Sequence, residues 1–434
     1  MTDYDISIIN GTILSKAGTH PSPNELVGIK DGFIKHIGPW HHFSATKTID
    51  AKNCLICPGL INAHGHSAMT LFRGLADDLP LMTWLNDHIF PAEAKYVSRE
   101  MVYWATKLAA AEMIMSGTTT VADGYFFESE AVRAFNDTGM RSITAQGIID
   151  FPAPGVPDPQ HNITAAETFL ATFPNTHLAN KALFCHSPYT CSPATLQKAK
   201  QLASDNNCLM FIHAAETQAE LAQVEKSYGT TPIRHLNALG VLDKNTVCIH
   251  TVLVDDHEID ILKTSGCGVV TCPESNMKLA SGVAPVPGLL QAGIPVALGT
   301  DGCASNNDLD LFSEMSSLAK LHKVTSSDPT VLSAAQALSA ATVGGARVLG
   351  LPETGVLHPG KMADIIIIDL HKPHLTPFYN QNSLVYCAKG ADVNTSIIGG
   401  KLVMHNRKIL TFEVEETMAY VNNLAVSVAQ LSKS

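Results

Sequence analysis

From residue 55 onward, short apolar runs alternate with longer stretches of helical spacing. The apolar runs cover 55–63, 118–123, 141–148, 181–186, 208–213, 246–250, 268–272 and 295–300. Runs of this kind, bounded by turn residues, predict buried strands. The stretches 99–116, 193–206, 217–228 and 308–322 predict amphipathic helices between them. Eight strand-then-helix units are the count of a (β/α)8 TIM barrel, with an open doubly wound sheet as the alternative. The chain before residue 55 has a different rhythm. Tyr4–Ile9 runs into Asn10-Gly11, and Glu25–Lys30 into Asp31-Gly32, and both dipeptides predict hairpins. Phe33–Ile37 continues the alternation. After helices at Val331–Leu349 the strand pattern returns at Ala363–Asp369, Asp392–Ile398 and Lys401–Met404, and Val414–Ser434 predicts a helix. Chain ends often lie close together, so the two β-rich ends are expected to fold as one unit. The expected fold is α/β: a TIM barrel over 58–349, with a small β-sandwich built from 1–57 and 350–434.

The polar residues at the ends of the predicted strands carry the candidate chemistry. His64 and His66 close the first, and residues two apart on an extended chain face one side. His186 closes the fourth, His213 the fifth and His250 the sixth, and Asp301 follows the eighth. A lone His-x-His is as readily a polar surface turn. In a closed barrel all these ends converge on one face, where such enzymes keep their sites. In an open sheet the first and last strands need not meet, so the pattern favours closure. Three histidines and one carboxylate make a mixed nitrogen and oxygen site suited to Zn²⁺ and also to Fe²⁺. A metal there lowers the pKa of a bound water from about 15.7 toward roughly 7.

Composition narrows the partners. The formal net charge is −11, which argues against a general nucleic-acid or anionic-membrane partner but leaves room for a nucleoside-sized substrate. Met1–Ile6 has no basic stretch leading into an apolar one, and no apolar run approaches a membrane span. The 10 cysteines are scattered apart from one C-x-x-C, Cys54-Leu55-Ile56-Cys57, which lies in an apolar run; in a chain this long that suggests reduced thiols and a cytoplasmic location. Gly355–Lys361 matches part of a phosphate-binding loop. Met362 replaces the hydroxyl residue, however, and a strand rather than a helix is expected next. It reads instead as a turn.

The order His-x-His, His, His, Asp at barrel strand ends resembles the amidohydrolase superfamily. His186 stands where two-metal members carry a bridging lysine, and Glu216 follows His213 by three residues, as in the single-metal deaminase branch. Phe72-Arg73-Gly74, Trp84-Leu85, Phe90-Pro91-Ala92-Glu93, Cys272-Pro273-Glu274-Ser275-Asn276, Gly299-Thr300-Asp301-Gly302 and Ser305–Asp310 resemble the 5-methylthioadenosine/S-adenosylhomocysteine deaminases, and the likeness runs nearly the whole chain. It implies hydrolytic deamination of an adenosine-type substrate. It implies one Zn²⁺ per subunit, with Fe²⁺ as the alternative, held by His64, His66, His213 and Asp301. It gives Asp301 a proton from the attacking water, Glu216 the protonation of the ring nitrogen, and His250 the developing oxygen. His186 would bond the ring, Glu93 the ribose hydroxyls, and Trp84 the apolar tail. A dimer or larger homo-oligomer is expected.

Relatives that accept S-adenosylhomocysteine can place an arginine at the end of the third strand. Gln146 is expected at that place, and a neutral amide cannot form the charged bidentate pair. A preference for 5′-methylthioadenosine or adenosine follows, with Arg141 and Arg73 as alternative cations. The rivals are a guanine or s-triazine hydrolase on the same scaffold and a non-catalytic metal-dependent binding protein. The H-x-E with P-C-x-x-C signature of nucleic-acid base deaminases is absent.

Overall fold

The computed structural model describes residues 2–172 and 175–429. One sheet is wholly parallel and takes its strands in sequence order. These are Leu60–Gly65 (β1), Thr118–Tyr125 (β2), Arg141–Ile148 (β3), Ala179–Cys185 (β4), Met210–Ala214 (β5), Thr246–His250 (β6), Gly268–Thr271 (β7) and Val296–Leu298 (β8). The seam between last and first is closed just past their ends. Gly65 bridges Asp301 in parallel, and the Asp301 N–H donates to the His64 carbonyl at 3.1 Å. The barrel interior mixes sizes. Ala63, Ala122, Ala145 and Ala182 leave the room that Phe184 and Phe211 fill. Helices cover the outside and start on side-chain caps: Ser98, Ser192, Thr217 and Asp255 each accept a backbone N–H of the first turn. The last long barrel helix begins at Leu311, not at 308, because Asp310 caps it through the Phe312 N–H at 2.9 Å.

The second sheet has nine strands and joins the two ends of the chain. Tyr4–Ile13 pairs antiparallel with Ser22–Lys30 and parallel with Ala45–Asp50 and Cys54–Pro58. Cys54–Pro58 pairs antiparallel with Ile365–Asp369, and Val393–Ile398, Lys401–His405 and Lys408–Ile409 follow outward. The expected hairpin at Asp31-Gly32 forms, with φ of 53° and 81°. Its Gly32 carbonyl accepts the Ala363 N–H at 2.9 Å, so the sheet curls back toward its own C-terminal strands. An isoleucine-rich core lies against this sheet, from Ile6 and Ile8 to Ile365, Ile367 and Ile397.

Three elements differ from expectation. The run 55–63 is two strands in two sheets, divided at Gly59. A Cβ on Gly59 would lie 2.1 Å from Thr119 Oγ1. Asn10-Gly11 is a bulge within one long strand, with the pairing register shifting on either side of Gly11. A Cβ there would meet the Ile56 side chain at 2.5 Å, so close approach of the neighbouring strand, not a turn, explains the glycine. The terminal helix spans Val414–Val428, and residues 430–434 of the expected helix lie outside the described residues. Gly355–Lys361 is a turn leading into Ile365–Asp369. No helix among the described residues is long and apolar enough to cross a membrane.

The sheet and the barrel share a buried ion pair. Arg141 starts β3 at the end of the barrel away from the strand termini that carry the histidines. Its Nε donates to Asp364 Oδ2 at 2.9 Å and one terminal nitrogen to Oδ1 at 3.0 Å, and each side chain is 3% exposed. The other terminal nitrogen donates to the His177 carbonyl, and Gly399 N–H donates to Asp364 Oδ1 at 2.7 Å.

Candidate active site

Closing the seam brings the strand-end residues together. His64 Nε2 and His66 Nε2 each lie 3.3 Å from Asp301 Oδ1, and His213 Nε2 lies 3.2 Å from His64 Nε2. Donor atoms of His64, His213, His250 and Asp301 all fall within 4.8 Å of one another. Ligands about 2.0–2.2 Å from one Zn²⁺ stand roughly 3–3.5 Å apart, so the spacing is that of donors arranged around a single ion. The rings differ in protonation: burial would lower His66, but its contact with Asp301 raises it. Burial lowers His64 to about 4 and holds His213 well below the ordinary histidine range, leaving neutral rings with lone pairs to offer. Burial alone would raise Asp301, but its contacts with His64 and His66 outweigh it and hold the carboxyl well below the usual carboxylate range. The residues fit a divalent metal.

Supporting contacts orient each donor. His66 donates from Nδ1 to the Gly124 carbonyl at 2.5 Å, which turns a bare Nε2 toward the cluster. Asp301 is held in a left-handed conformation, φ 62°. Its Oδ2 accepts the hydroxyls of Ser275 at 2.7 Å and Ser305 at 3.0 Å, leaving Oδ1 for the cluster. Gly299 is required by packing, since a Cβ there would lie 2.8 Å from the His64 carbonyl oxygen. His250 is fixed through Nδ1 by Asn276 Oδ1 at 2.9 Å, and its Nε2 lies 3.8 Å from Glu216 Oε2. His186 is fixed through Nδ1 by the Thr190 hydroxyl at 2.9 Å, and burial lowers it to about 4. Ser275, Ser305, Asn276 and Thr190 had no role in the sequence reading. The first three stand in the two quoted motifs that lacked one, Cys272–Asn276 and Ser305–Asp310.

The cluster floors a cavity of about 420 Å³. Glu93, Trp84, His186, Glu216 and His250 all line it. The chain opens into a π-helical turn over Trp84–Ile89, which presents Trp84, Leu85 and Ile89 to the space. The outer walls are apolar, from Leu81 and Phe90 on one side to Ile149 and Phe151 on the other. Burial raises Glu216 above the usual glutamate value, against the lowering effect of His250. Glu93 is 7% exposed, accepts the Tyr125 hydroxyl at 2.6 Å, and is pushed up by burial to about 7.

The last shift predicts a pH dependence. A carboxyl raised in the folded chain favours folding fully below the unfolded value of 4.5, and that favour is lost as pH rises through about 7. The gap corresponds to on the order of 3 kcal/mol. Glu93→Gln should therefore gain stability relative to the native chain between pH 5 and pH 8. Thermal midpoints at the two pH values test this, and a difference that stays constant would contradict it.

Gln146 is a correction. Ile143 and Ala145 face the barrel interior, and the cavity is lined from the end of β3 by Gly147, Ile148 and Ile149, not by Gln146. Gln146 points to the opposite face, with its amide nitrogen 3.3 Å from the Gly147 carbonyl. The alternative cations are also engaged elsewhere. Arg73 is paired with Glu112 and donates to the Asn307 carbonyl at 3.0 Å, and Arg141 is held by Asp364. Among the described residues, no lysine or arginine lines the cavity.

A closed parallel barrel that gathers histidines and an aspartate over a cavity at its strand ends defines a metal-dependent hydrolase. The chain belongs to the amidohydrolase family, whose model matches residues 55–403. It is 46% identical, over 98% of either chain, to a Syntrophobacter fumaroxidans protein named 5-methylthioadenosine/S-adenosylhomocysteine deaminase. It is 42% identical, over 90% of either chain, to a 5′-deoxyadenosine deaminase from Methanosarcina mazei. Among solved structures it is similar to an adenosine deaminase from Xanthomonas campestris with bound zinc. That likeness has a TM-score of 0.95 and 34% identity, and covers 98% of this chain and 99% of that one.

Proposed function

We propose that this protein hydrolyses the exocyclic amino group from the adenine ring of nucleosides with a small apolar 5′ group, 5′-methylthioadenosine first among them. Adenosine is a further substrate in this reading. The observation that carries it is the cavity itself: a metal-type donor cluster, a buried acid beside it, and an apolar outer lobe without a cation. We assign His64, His66, His213 and Asp301 to one Zn²⁺ per subunit. His66 is preferred to His250 as a ligand because its Nε2 faces Asp301, whereas His250 turns its Nε2 toward Glu216. A metal held there supplies a lowered water pKa, and with it a nucleophile at neutral pH.

The chain's own residues do the rest. Asp301, oriented by the Ser275 and Ser305 hydroxyls, accepts a proton from the attacking water. Glu216 donates its proton to the ring nitrogen beside the reacting carbon, recovers one from the hydroxyl that water has added, and passes it to the departing amine, so that ammonia leaves and a carbonyl remains; the proton that Asp301 took then restores Glu216. Its burial keeps that proton available nearer neutral pH than on an exposed glutamate. His250, held by Asn276, meets the oxygen that develops at the reacting carbon. His186 bonds the ring edge. Glu93 keeps one oxygen on Tyr125 and offers the other to the ribose hydroxyls, a need that a bare guanine or triazine ring does not have. Trp84 and its apolar neighbours cover the 5′ group. We place the catalytic unit at 58–349 and the supporting unit at 1–57 with 350–434, in a cytoplasmic homo-oligomer.

An ultraviolet assay of the metal-loaded protein tests the reading, with metal content measured on the same sample. The shift from adenine to hypoxanthine chromophore is followed for 5′-methylthioadenosine, adenosine and S-adenosylhomocysteine, with guanine and a triazine as controls. The amino-acid carboxylate of S-adenosylhomocysteine finds no cation in the cavity. An unmade charged hydrogen bond of about 1.5–3 kcal/mol lowers its kcat/KM by roughly 10- to 100-fold. Equal rates would remove the specificity argument. Turnover of guanine or the triazine without any adenosine derivative would move the protein to the rival activity.

A further inference from the structure

We infer that Glu220 is a positioning residue, one side chain that sets both the turn carrying Glu216 and, through that turn, the segment that follows His250. The inference rests on the assignment of Glu216 as the proton carrier.

Glu220 lies in the first turn of helix Gln218–Tyr228, behind the cavity wall, and is 4% exposed. It does not line the cavity. Its Oε1 accepts the Ala215 N–H at 3.0 Å and its Oε2 accepts the Glu216 N–H at 2.7 Å. An ordinary capping glutamate reaches back to the cap residue itself, which here is Thr217. Burial raises this carboxyl and the Thr217 N–H lowers it, but the side chain also reaches past Thr217, to the two residues that link β5 to the helix. Its own N–H is held by the Thr217 hydroxyl at 3.2 Å.

What it clasps is strained. Ala215 has φ of 56°, a left-handed conformation that costs a residue with a Cβ on the order of 1 kcal/mol or more. The turn persists because its neighbours hold it. With both N–H groups occupied by Glu220, the Ala215 carbonyl faces the other way and accepts Val252 N–H at 2.9 Å and Leu253 N–H at 2.8 Å. The Ala214 carbonyl accepts Thr251 N–H at 3.1 Å. The segment so held begins with His250 and Thr251, themselves left-handed at 70° and 50°. Two strained turns on adjacent strands are thus locked to each other, and Glu220 closes the arrangement from behind. The 3.8 Å approach of His250 Nε2 to Glu216 Oε2 depends on both turns.

The test uses the metal-loaded full chain. Glu220→Gln keeps the volume but replaces one acceptor by an amide that faces an N–H donor. Glu220→Ala removes both acceptors. Ser98→Ala deletes the cap of helix Arg99–Met115, which bonds to neither turn, so it serves as the control for stability loss alone. Misplacement of a reacting group by about 1 Å costs roughly 100-fold, so Glu220→Gln should lower kcat for 5′-methylthioadenosine by about 10- to 100-fold with KM within about twofold. Ser98→Ala should lower the melting temperature and keep kcat. Amide hydrogen exchange gives a readout free of the reaction. Glu220→Gln should speed exchange in peptides covering 246–254 as well as 211–217, whereas Ser98→Ala should not affect 246–254. Unchanged kcat, unchanged exchange at 246–254, or equal effects from Ser98→Ala would each overturn the inference. Full activity of Glu216→Gln would instead overturn the role of Glu216, and the exchange result would still decide whether Glu220 links the two turns.

Discussion

Glu216→Gln lowers kcat for 5′-methylthioadenosine by about 10²- to 10⁴-fold, the range that a positioned acid contributes, while metal content stays at the native level. Glutamine has the shape of glutamate and can still accept from the Ser281 hydroxyl, which lies 3.4 Å from Oε1. It cannot deliver a proton to the ring nitrogen or to the departing amine. Glu93, which burial also raises, is engaged by the Tyr125 hydroxyl. Burial leaves His213 and His186 neutral, and Asp301, which burial alone would raise, is held well below the usual carboxylate range by its contacts with His64 and His66. KM should change little, because the lost interaction belongs to the transition state rather than to the bound substrate. Steady-state kinetics with metal analysis on the same samples decide the matter. A variant retaining more than about a tenth of native kcat would be incompatible with a general acid. Loss of metal alongside activity would place Glu216 among the groups that hold the ion.

Arg141→Ala should cost about 3–5 kcal/mol of stability, the penalty for leaving one member of a buried ion pair alone. Asp364 would then sit 3% exposed at the junction of barrel and sheet, with only the Gly399 N–H to stabilise its charge. A domain is stable by about 5–15 kcal/mol in all, so this is a large fraction. Replacing both members, Arg141→Leu with Asp364→Leu, should recover part of the loss, because no unpaired charge remains. The recovery is incomplete because the His177 carbonyl and the Gly399 N–H lose their partners. Turnover per folded molecule should stay near native, since Arg141 begins β3 at the far end of the barrel. Urea denaturation followed by fluorescence gives the midpoints. A single variant that unfolds at the native urea concentration would show that the pair carries no net weight.

The barrel and its polar strand ends were legible because the two signals have separate physical origins. The apolar runs record burial, and a histidine or aspartate at the end of a run records an exit from the core. Convergence then follows from closure alone. The side of β3 that faces the cavity was not legible. Ser142, Thr144 and Gln146 alternate with Ile143, Ala145 and Gly147, which resembles the usual half-buried pattern. A barrel strand is buried on both faces, however, and here Ser142 and Thr144 are fully buried against the outer layer. Alternation therefore marks two faces without saying which is the interior. The division of 55–63 was hidden for the same reason: two strands in two sheets, both fully covered, leave one unbroken apolar run. Ser275, Ser305 and Asn276 could not be assigned from spacing, because their partners lie 26, 4 and 26 residues away.

The seam between β8 and β1 is closed at Gly65 and Asp301, beside the very side chains that converge on Asp301 Oδ1. Closing the cylinder and assembling the donor set are therefore one conformational event, and the ion is a thermodynamic ligand of the closed form. By linkage, each tenfold rise in free metal above its dissociation constant adds about 1.4 kcal/mol to the stability of the fold. Melting temperature should climb with buffered free Zn²⁺, and a flat response would uncouple the two. A climbing melting temperature makes the stability of this protein a reading of the metal supply around it.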